Sequence, residues 1–323
     1  MRTEVAELST SLKACCPICG TGRVEKLLQA PDRYHGRLQL YELLRCPSCS
    51  LVWLSEPPSP DKMGEHYGID YDRSVASAGD SPDRWKGRRD VLSHSKSGGS
   101  LLDLGCSSGG FLSSMRSASW KLYGIEMSEE VARKAEASSG AEVFVGDILD
   151  APFSPNSFDV ITCFHVFEHL YQPRDILERV ANWLKPGGIF YAMMPNIDSA
   201  GAHIFGSYWY ALELPRHLYH FSPTSLKGLA SSVGLQEVSV TTHREVFIEQ
   251  STRYILDEMC RRAGVPRTPL ARAKPRTFLR KASRKMFRLT LLPILNALAA
   301  LAGDGESIHA IFAKPSKTMT VEK

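Results

Sequence analysis

The chain has 323 residues, enough to bury one large core and a small extra module. A net charge of +4 is mild and does not by itself call for a polyanionic partner. No charged-then-apolar leader opens the sequence, and no apolar run reaches the roughly 20 residues that span a bilayer. A cytoplasmic protein is therefore expected, and the function classes that need a membrane-spanning anchor are set aside.

Five of the eight cysteines lie near the start. Cys16-Pro-Ile-Cys19 is answered by Cys46-Pro-Ser-Cys49, two C-P-x-C knuckles separated by enough chain for a small hairpin. Each knuckle presents two thiolates, and four sulfurs close a tetrahedral ion, the pattern of a structural zinc ribbon. In a reducing compartment the disulfide reading is the weaker one. Cys15 adjoins Cys16 and leaves a register ambiguity, which the proline after the first cysteine of each knuckle tips toward Cys16. With four protein ligands the ion holds fold rather than performing chemistry. Cys106, Cys163 and Cys260 are scattered and read as ordinary buried or tolerated thiols.

Ser55-Glu-Pro-Pro-Ser-Pro60 is a stiff break, followed by a polar stretch carrying Tyr67 and Tyr71. Packing against a core is the expected use of these rings, with the rival that one lines a cofactor mouth and faces a cation. The boundaries that follow are a zinc module over 1–55, a linker with a helical segment over 56–97 and a main domain over 98–323.

In that domain Leu101-Leu-Asp-Leu104 empties into the small-residue turn Gly105-Cys-Ser-Ser-Gly-Gly110 and then Phe111-Leu112. A strand, a turn stripped of side chains and a helix start suit a nucleotide, and Asp103 sets a carboxylate at the strand end. Twenty-three residues on, a second apolar strand, Leu122–Ile125, ends in Glu126, an acceptor for ribose hydroxyls. A third, Ala141–Val145, delivers Gly146-Asp147-Ile148, and a fourth, Phe158–Cys163, runs into Phe164-His165-Val-Phe-Glu168-His169. Leu184-Lys-Pro-Gly-Gly188 stops a helix before a fifth strand, Ile189–Met194. Strands alternating with helices at this spacing predict an α/β fold with a doubly wound, Rossmann-like parallel sheet.

The series DLGCSSGG, GIEMS, GDI, FDVITCFHVFEHL and LKPGG resembles the class I S-adenosylmethionine-dependent methyltransferases over about half of the chain. The resemblance implies a seven-stranded sheet and the methionine end of S-adenosylmethionine near Asp103, Gly105, Cys106, Ser107 and Gly109. It also implies ribose on Glu126 beside Met127, adenine beside Asp147 and Ile148, and Phe164 at the same rim. Ser107 departs from the pattern, standing where many relatives have glycine. GCSSGG does not meet the GxGxxG spacing of dinucleotide enzymes.

His165-Val-Phe-Glu168-His169 also fits the H-x-x-E-H pattern of a peptidase family, a reading rejected because the segment starts where the fourth strand ends. His165 there is a candidate to touch the reacting group, whereas Glu168 and His169 read as structural. Further on, an aromatic loop, Phe205–Tyr210, precedes Glu213-Leu-Pro-Arg216-His217-Leu-Tyr-His220-Phe-Ser222-Pro-Thr-Ser225. Ser222-Pro-Thr-Ser225 reads as a helix start that His220 braces. The segment is similar to one in deoxysugar C-methyltransferases, which also carry a four-cysteine zinc module. That resemblance implies His217 as the proton acceptor, with Arg216 standing where those relatives have glutamate. Imidazole suits the removal of a proton near pH 7, so His217 is the candidate base, with His220 and His165 behind it.

Leu235–Val240 and Ile308–Ala313 read as the sixth strand and the antiparallel seventh. Between them lies an insertion, 254–305, in which Arg261 to Arg288 hold eleven Lys or Arg and no acid, followed by the apolar stretch Leu289–Ala302. A solvated basic face is the plain reading, and contact with an anionic membrane at its inner face is the sharper one. Three classes remain in order of support. They are a methyltransferase of a small-molecule or glycan acceptor such as a nucleotide- or lipid-linked sugar, an RNA methyltransferase using zinc module and basic insertion, and a non-catalytic binding module.

Overall fold

The computed structural model describes residues 15–67, 82–116, 119–245, 247–264 and 305–316. In chain order its main elements are β1 (Glu25–Pro31), β2 (Leu40–Arg45), β3 (Val52–Leu54), α1 (Pro82–Ser95), β4 (Gly98–Leu104), α2 (Gly110–Ser114), β5 (Ser119–Glu126), α3 (Glu129–Ser139), β6 (Glu142–Val145), β7 (Phe158–Phe164), α4 (Pro173–Trp183), β8 (Leu184–Pro195), α5 (Ala200–Phe205), β9 (Tyr219–His220), α6 (Pro223–Ser232), β10 (Gln236–His243), α7 (Phe247–Arg262) and β11 (Ser307–Ala313).

The expected doubly wound sheet is present, with seven strands in the order β10-β11-β8-β7-β4-β5-β6. Strand β4 pairs in parallel with β5 on one side and with β7 on the other, so the winding reverses at β4, and the strand that ends in Asp103 and Leu104 opens the crevice where such sheets take ligands. The last four residues of β4, Leu101 to Leu104, are buried on both faces, as a central parallel strand requires. Gly187 N–H donates to Lys314 O and Lys314 N–H to Gly188 O at one end, and Asn196 N–H donates to Glu306 O at the other, so β11 runs antiparallel to β8. Helix α4 shows why these segments are helical: Ile176, Leu177, Val180 and Trp183 fall on one stripe and are all buried. The chain leaves that helix directly into β8, so Leu184 to Gly188 is already extended rather than a separate loop.

A second sheet of four strands has the order β1-β2-β3-β9. Strands β1 and β2 form the hairpin expected between the knuckles. Strand β9 comes from far along the sequence and adds to the edge of β3, pairing Val52 with His220 and Trp53 with Tyr219.

The chain divides into two compact units, and the division is not the linear one expected at 55 and 97. One unit joins residues 1–70 to 195–226 and 241–308; the other holds 71–194, 227–240 and 309–323. The core of the second unit is built from Leu92, Leu101, Phe111, Leu112, Leu122, Val160 and Tyr191, with Cys106 among them. Tyr71 and residues 265–302 of the basic and apolar insertion lie outside the described residues.

Candidate functional site

The turn after β4 is made by three residues in the left-handed region: Gly105 (φ +66), Ser107 (φ +50) and Gly109 (φ +77). A Cβ at Gly105 would sit 2.6 Å from a Val166 methyl, and one at Gly109 would sit 2.7 Å from the Cα of Ala135 in α3. Both glycines are therefore fixed by close approach as well as by dihedral. Ser107 takes the same dihedral with a side chain, at a cost glycine would avoid. Cys106 is buried, its N–H donating to Ile125 O, and Gly109 N–H donates back to Cys106 O. Helix α2 is one short turn of five residues.

Around this turn stand the three acids expected from the sequence. Asp103 is 4% exposed, and Thr162 Oγ1 donates to its Oδ1 at 2.7 Å. Burial pushes its carboxyl up to about 7, against the pull of Thr162 and of Arg88. Glu126 accepts the N–H of Ser107 at one oxygen (3.0 Å) and the N–H of Ser128 at the other (3.1 Å). Each oxygen keeps a further acceptor position, so the carboxylate is aimed and still able to take a pair of hydroxyls. Asp147 is the cap of a short helical turn, accepting Leu149 N–H at 2.8 Å, with Ile148 buried beside it. Met127 is 70% exposed, a long apolar side chain left in solvent.

Phe164 continues an aromatic ladder, edge-on to Phe111 (5.0 Å) and to Tyr191 (5.1 Å), with Trp85 against Phe111. Arg88 of α1 lies over Phe164 and Trp85, donates to Met193 Sδ at 3.0 Å and acts electrostatically on Asp103. One arginine in a basic helix ahead of the motif carries no signal of this placement in the sequence. His165 follows β7 in the left-handed region (φ +57), its N–H on Met193 O and its Nδ1 3.6 Å from Glu168, which is buried. The stretch Phe167–His169 is a single tight turn, so the H-x-x-E-H spacing does not lie along a helix face.

In the other unit the four expected cysteines converge. The Sγ atoms of Cys16, Cys19, Cys46 and Cys49 all lie within 4.8 Å of one another, with Cys16 to Cys49 and Cys19 to Cys46 at 3.6 Å. Sulfurs 2.3 Å from a tetrahedral ion stand about 3.8 Å apart, so the set fits zinc and is too wide for disulfides. The two knuckles share one bonding pattern: Cys16 N–H to Thr21 O and Gly20 N–H to Cys16 O, then Cys46 N–H to Leu51 O and Ser50 N–H to Cys46 O. Burial pushes the Cys16 thiol up to about 11 and raises Cys49 further, so a cation is what would hold them as thiolates. Cys15 is exposed, and it is the Sγ of Cys16 that joins the other three.

His217 is buried, and its Nδ1 lies 2.8 Å from Ala211 O. A carbonyl only accepts, so Nδ1 carries the proton and Nε2 the lone pair of the neutral ring. Glu213 Oε2 is 3.9 Å from that Nε2 and 3.6 Å from Arg216 Nη2. A carboxylate thus stands near His217 from position 213 rather than 216, across a non-helical turn. Arg216 is fully buried, with Asp32 at 3.8 Å and the Tyr34 ring at 4.9 Å. His220 is buried in β9, its ring 6.1 Å from that of His217. The aromatic loop packs within the same unit, Tyr210 stacking on Tyr254 and Tyr208 on Arg33. Ser222 starts α6 as expected, its Oγ accepting Ser225 N–H at 3.1 Å.

Residues 78–240, half of the chain, match the family model described as a methyltransferase domain. The chain belongs to that methyltransferase family. The ubiquinone biosynthesis O-methyltransferase of Paraburkholderia xenovorans is 28% identical over 185 residues, which cover 51% of this chain and 79% of that protein. Its counterpart in Xanthomonas euvesicatoria is 32% identical over 151 residues, 43% of this chain and 63% of the relative, and that in Paraburkholderia phymatum is 31% identical over 147 residues, 42% and 63%. The matched stretch thus spans less than two thirds of the length of these last two relatives. Among solved structures, an S-adenosylmethionine-dependent methyltransferase of Archaeoglobus fulgidus superposes with a TM-score of 0.49 at 16% identity, over 72% of this chain and 95% of the other. The methyltransferase domain accounts for the α/β sheet with its order reversing at β4. No helix among the described residues is long and apolar enough to cross a membrane.

Proposed function

We propose that the protein moves the methyl group of S-adenosylmethionine to a hydroxyl of a small-molecule acceptor, glycans included. The observation that carries this reading is the left-handed turn at Gly105, Ser107 and Gly109 ringed by Asp103, Glu126 and Asp147 within one compact unit. In this reading Cys106 and Ser107 line the methionine end, Asp103 takes its ammonium and Arg88 its carboxylate. Glu126 takes the ribose hydroxyls, Met127, Asp147 and Ile148 frame the adenine, and Phe164 walls the rim. An oxygen acceptor is favoured because the similar proteins are named O-methyltransferases.

Methyl transfer to oxygen is an in-line displacement. S-adenosylmethionine, when bound, would supply an activated methyl carbon to the acceptor oxygen with S-adenosylhomocysteine as leaving group, and the hydroxyl proton must leave. His217 takes that proton on Nε2, since its Nδ1 is committed to Ala211 O. Glu213, 3.9 Å away, steadies the imidazolium that results. His220 and His165 are the next candidates. The four cysteines hold a structural zinc ion and take no part in the displacement.

His217→Ala should lower turnover by about 100-fold or more while leaving the heat of cofactor binding unchanged; unchanged turnover would pass the role to His220 or His165. Methyl-deuterated cofactor incubated with cell extract should label the polar small-molecule or glycan-lipid pool. Label in RNA would replace this acceptor class, and label nowhere despite cofactor binding would favour a binding module.

A further inference from the structure

The four-stranded sheet ties the cysteine knuckles to the histidine segment. Strand β3 begins three residues after Cys49, and the second knuckle closes onto it through Cys46 N–H on Leu51 O at 2.9 Å. All of Val52, Trp53 and Leu54 are buried. On one edge β3 pairs with β2, Arg45 opposite Val52 and Leu43 opposite Leu54. On the other it carries β9, with Val52 opposite His220, Trp53 opposite Tyr219, and Leu54 N–H bonded to Leu218 O at 2.9 Å. Strand β9 is two residues long and lies at the edge of the sheet, so the pairing with β3 sets its register. His220 lies in that strand and His217 one residue before the bonded Leu218. Strand β3 thus holds the backbone that carries both histidines, alongside the bond of His217 to Ala211 O and that of Ile197 N–H to Phe221 O.

Beside the β2 ladder and its buried side chains, β3 is tied to the second knuckle, and an ion would fix that knuckle. The sulfurs meet across knuckles, Cys16 with Cys49 and Cys19 with Cys46, so an ion there closes a loop through the whole β1–β2 hairpin. Ladder bonds are individually weak and leave a two-residue strand dependent on its neighbour for order.

We propose that zinc in the four-cysteine site is the positioning device for His217 and His220: the ion orders the second knuckle, the knuckle orders β3, and β3 holds β9 in register. This rests on the zinc and base readings above, and the test separates it from them. The zinc-loaded full chain is measured for metal content and for amide hydrogen exchange, then stripped with a chelator and measured again, then refilled with cobalt. The expected result is about one zinc per chain and exchange at Leu218–Phe221 that rises at least about tenfold on stripping. Protection of Leu101–Gly109 and affinity for S-adenosylhomocysteine should stay within about twofold, and cobalt, showing its thiolate charge-transfer absorption, should restore β9. Turnover should fall through kcat with KM for the cofactor unchanged, and Cys19→His, which keeps a four-ligand site, should retain β9 protection where Cys19→Ser loses it. Stoichiometric zinc whose removal leaves Leu218–Phe221 protected refutes the coupling and spares the zinc reading. Absence of bound zinc defeats both, and loss of protection at Leu101–Gly109 together with β9 refutes release of β9 as a separate event.

Discussion

Asp103, proposed above to take the ammonium of the cofactor, is held at odds with folding. Its carboxyl is buried and raised to about 7, while the unfolded chain ionises it near 3.8. Between those values the folded state binds more protons than the unfolded one, so stability falls as pH rises, and above about 7 the full cost is present. Asp103→Asn should therefore gain stability over the parent as pH climbs from 4 to 7 in denaturant titrations, with the gain level above that. The same variant should lose at least about tenfold in cofactor affinity, because the charge that meets the ammonium has gone. A gain already complete at pH 4 would falsify the burial argument. Ser107 and Gly109 make a contrasting pair. Ser107→Gly relieves a left-handed side chain and should add about 1 kcal/mol to stability, whereas Gly109→Ala drives a methyl into Ala135 at 2.7 Å and should cost roughly 2–4 kcal/mol. Chemical denaturation measures both.

The residues that the sequence could point to are those whose meaning is local. Asp103, Glu126 and Asp147 each end a strand in a recognisable string, and the knuckles repeat a four-residue pattern. Arg88, Thr162 and Glu213 were not legible. Thr162 reaches Asp103 only because β7 pairs with β4 across 59 residues of sequence. Glu213 serves His217 because the chain turns once between them, which spacing alone does not reveal.

At the scale of elements, α3 illustrates how a helix and a strand end share a device. Ser128 caps α3 with its hydroxyl on Val131 N–H, and its own N–H holds Glu126. The side chain serves the helix and the backbone serves the ligand. Ser128→Ala should accordingly cost about 1 kcal/mol of stability in thermal melts yet leave cofactor affinity within about twofold. A large loss of affinity would mean that the hydroxyl itself faces the ligand. Strand β7 makes a similar point through the ladder Phe111–Phe164–Tyr191, which fills the space beneath the rim with rings rather than charge. Helix α7 ends on Arg261 and Arg262, both bonded to Glu258, so one carboxylate is shared by two guanidinium groups where the basic run begins.

Two compact units in one chain predict two responses to ligands. The cofactor turn belongs to one unit and the cysteine site to the other. Calorimetry should resolve two transitions, or one asymmetric transition that separates on adding a ligand. S-adenosylhomocysteine at 100 times its dissociation constant should raise the unit with β4 by about 2.7 kcal/mol. A chelator should lower the other transition and leave that one in place. Equal shifts of both by either reagent would show that the units melt as one.

Composition and pattern were enough for the class of fold and for the strings that form the turn after β4 and the cysteine cluster. Each depends on neighbours within a few residues: a strand that ends in an acid, a turn that needs φ above zero, a knuckle that pairs two sulfurs. Tertiary structure alone decided that the four-stranded sheet beside the cysteine cluster is completed by a strand from beyond residue 195, so that cluster and histidine segment fall in one unit. The reason is physical. An edge strand of two residues has no signature of its own, and it exists because an open edge of β3 offers unpaired amides and carbonyls that the returning chain satisfies.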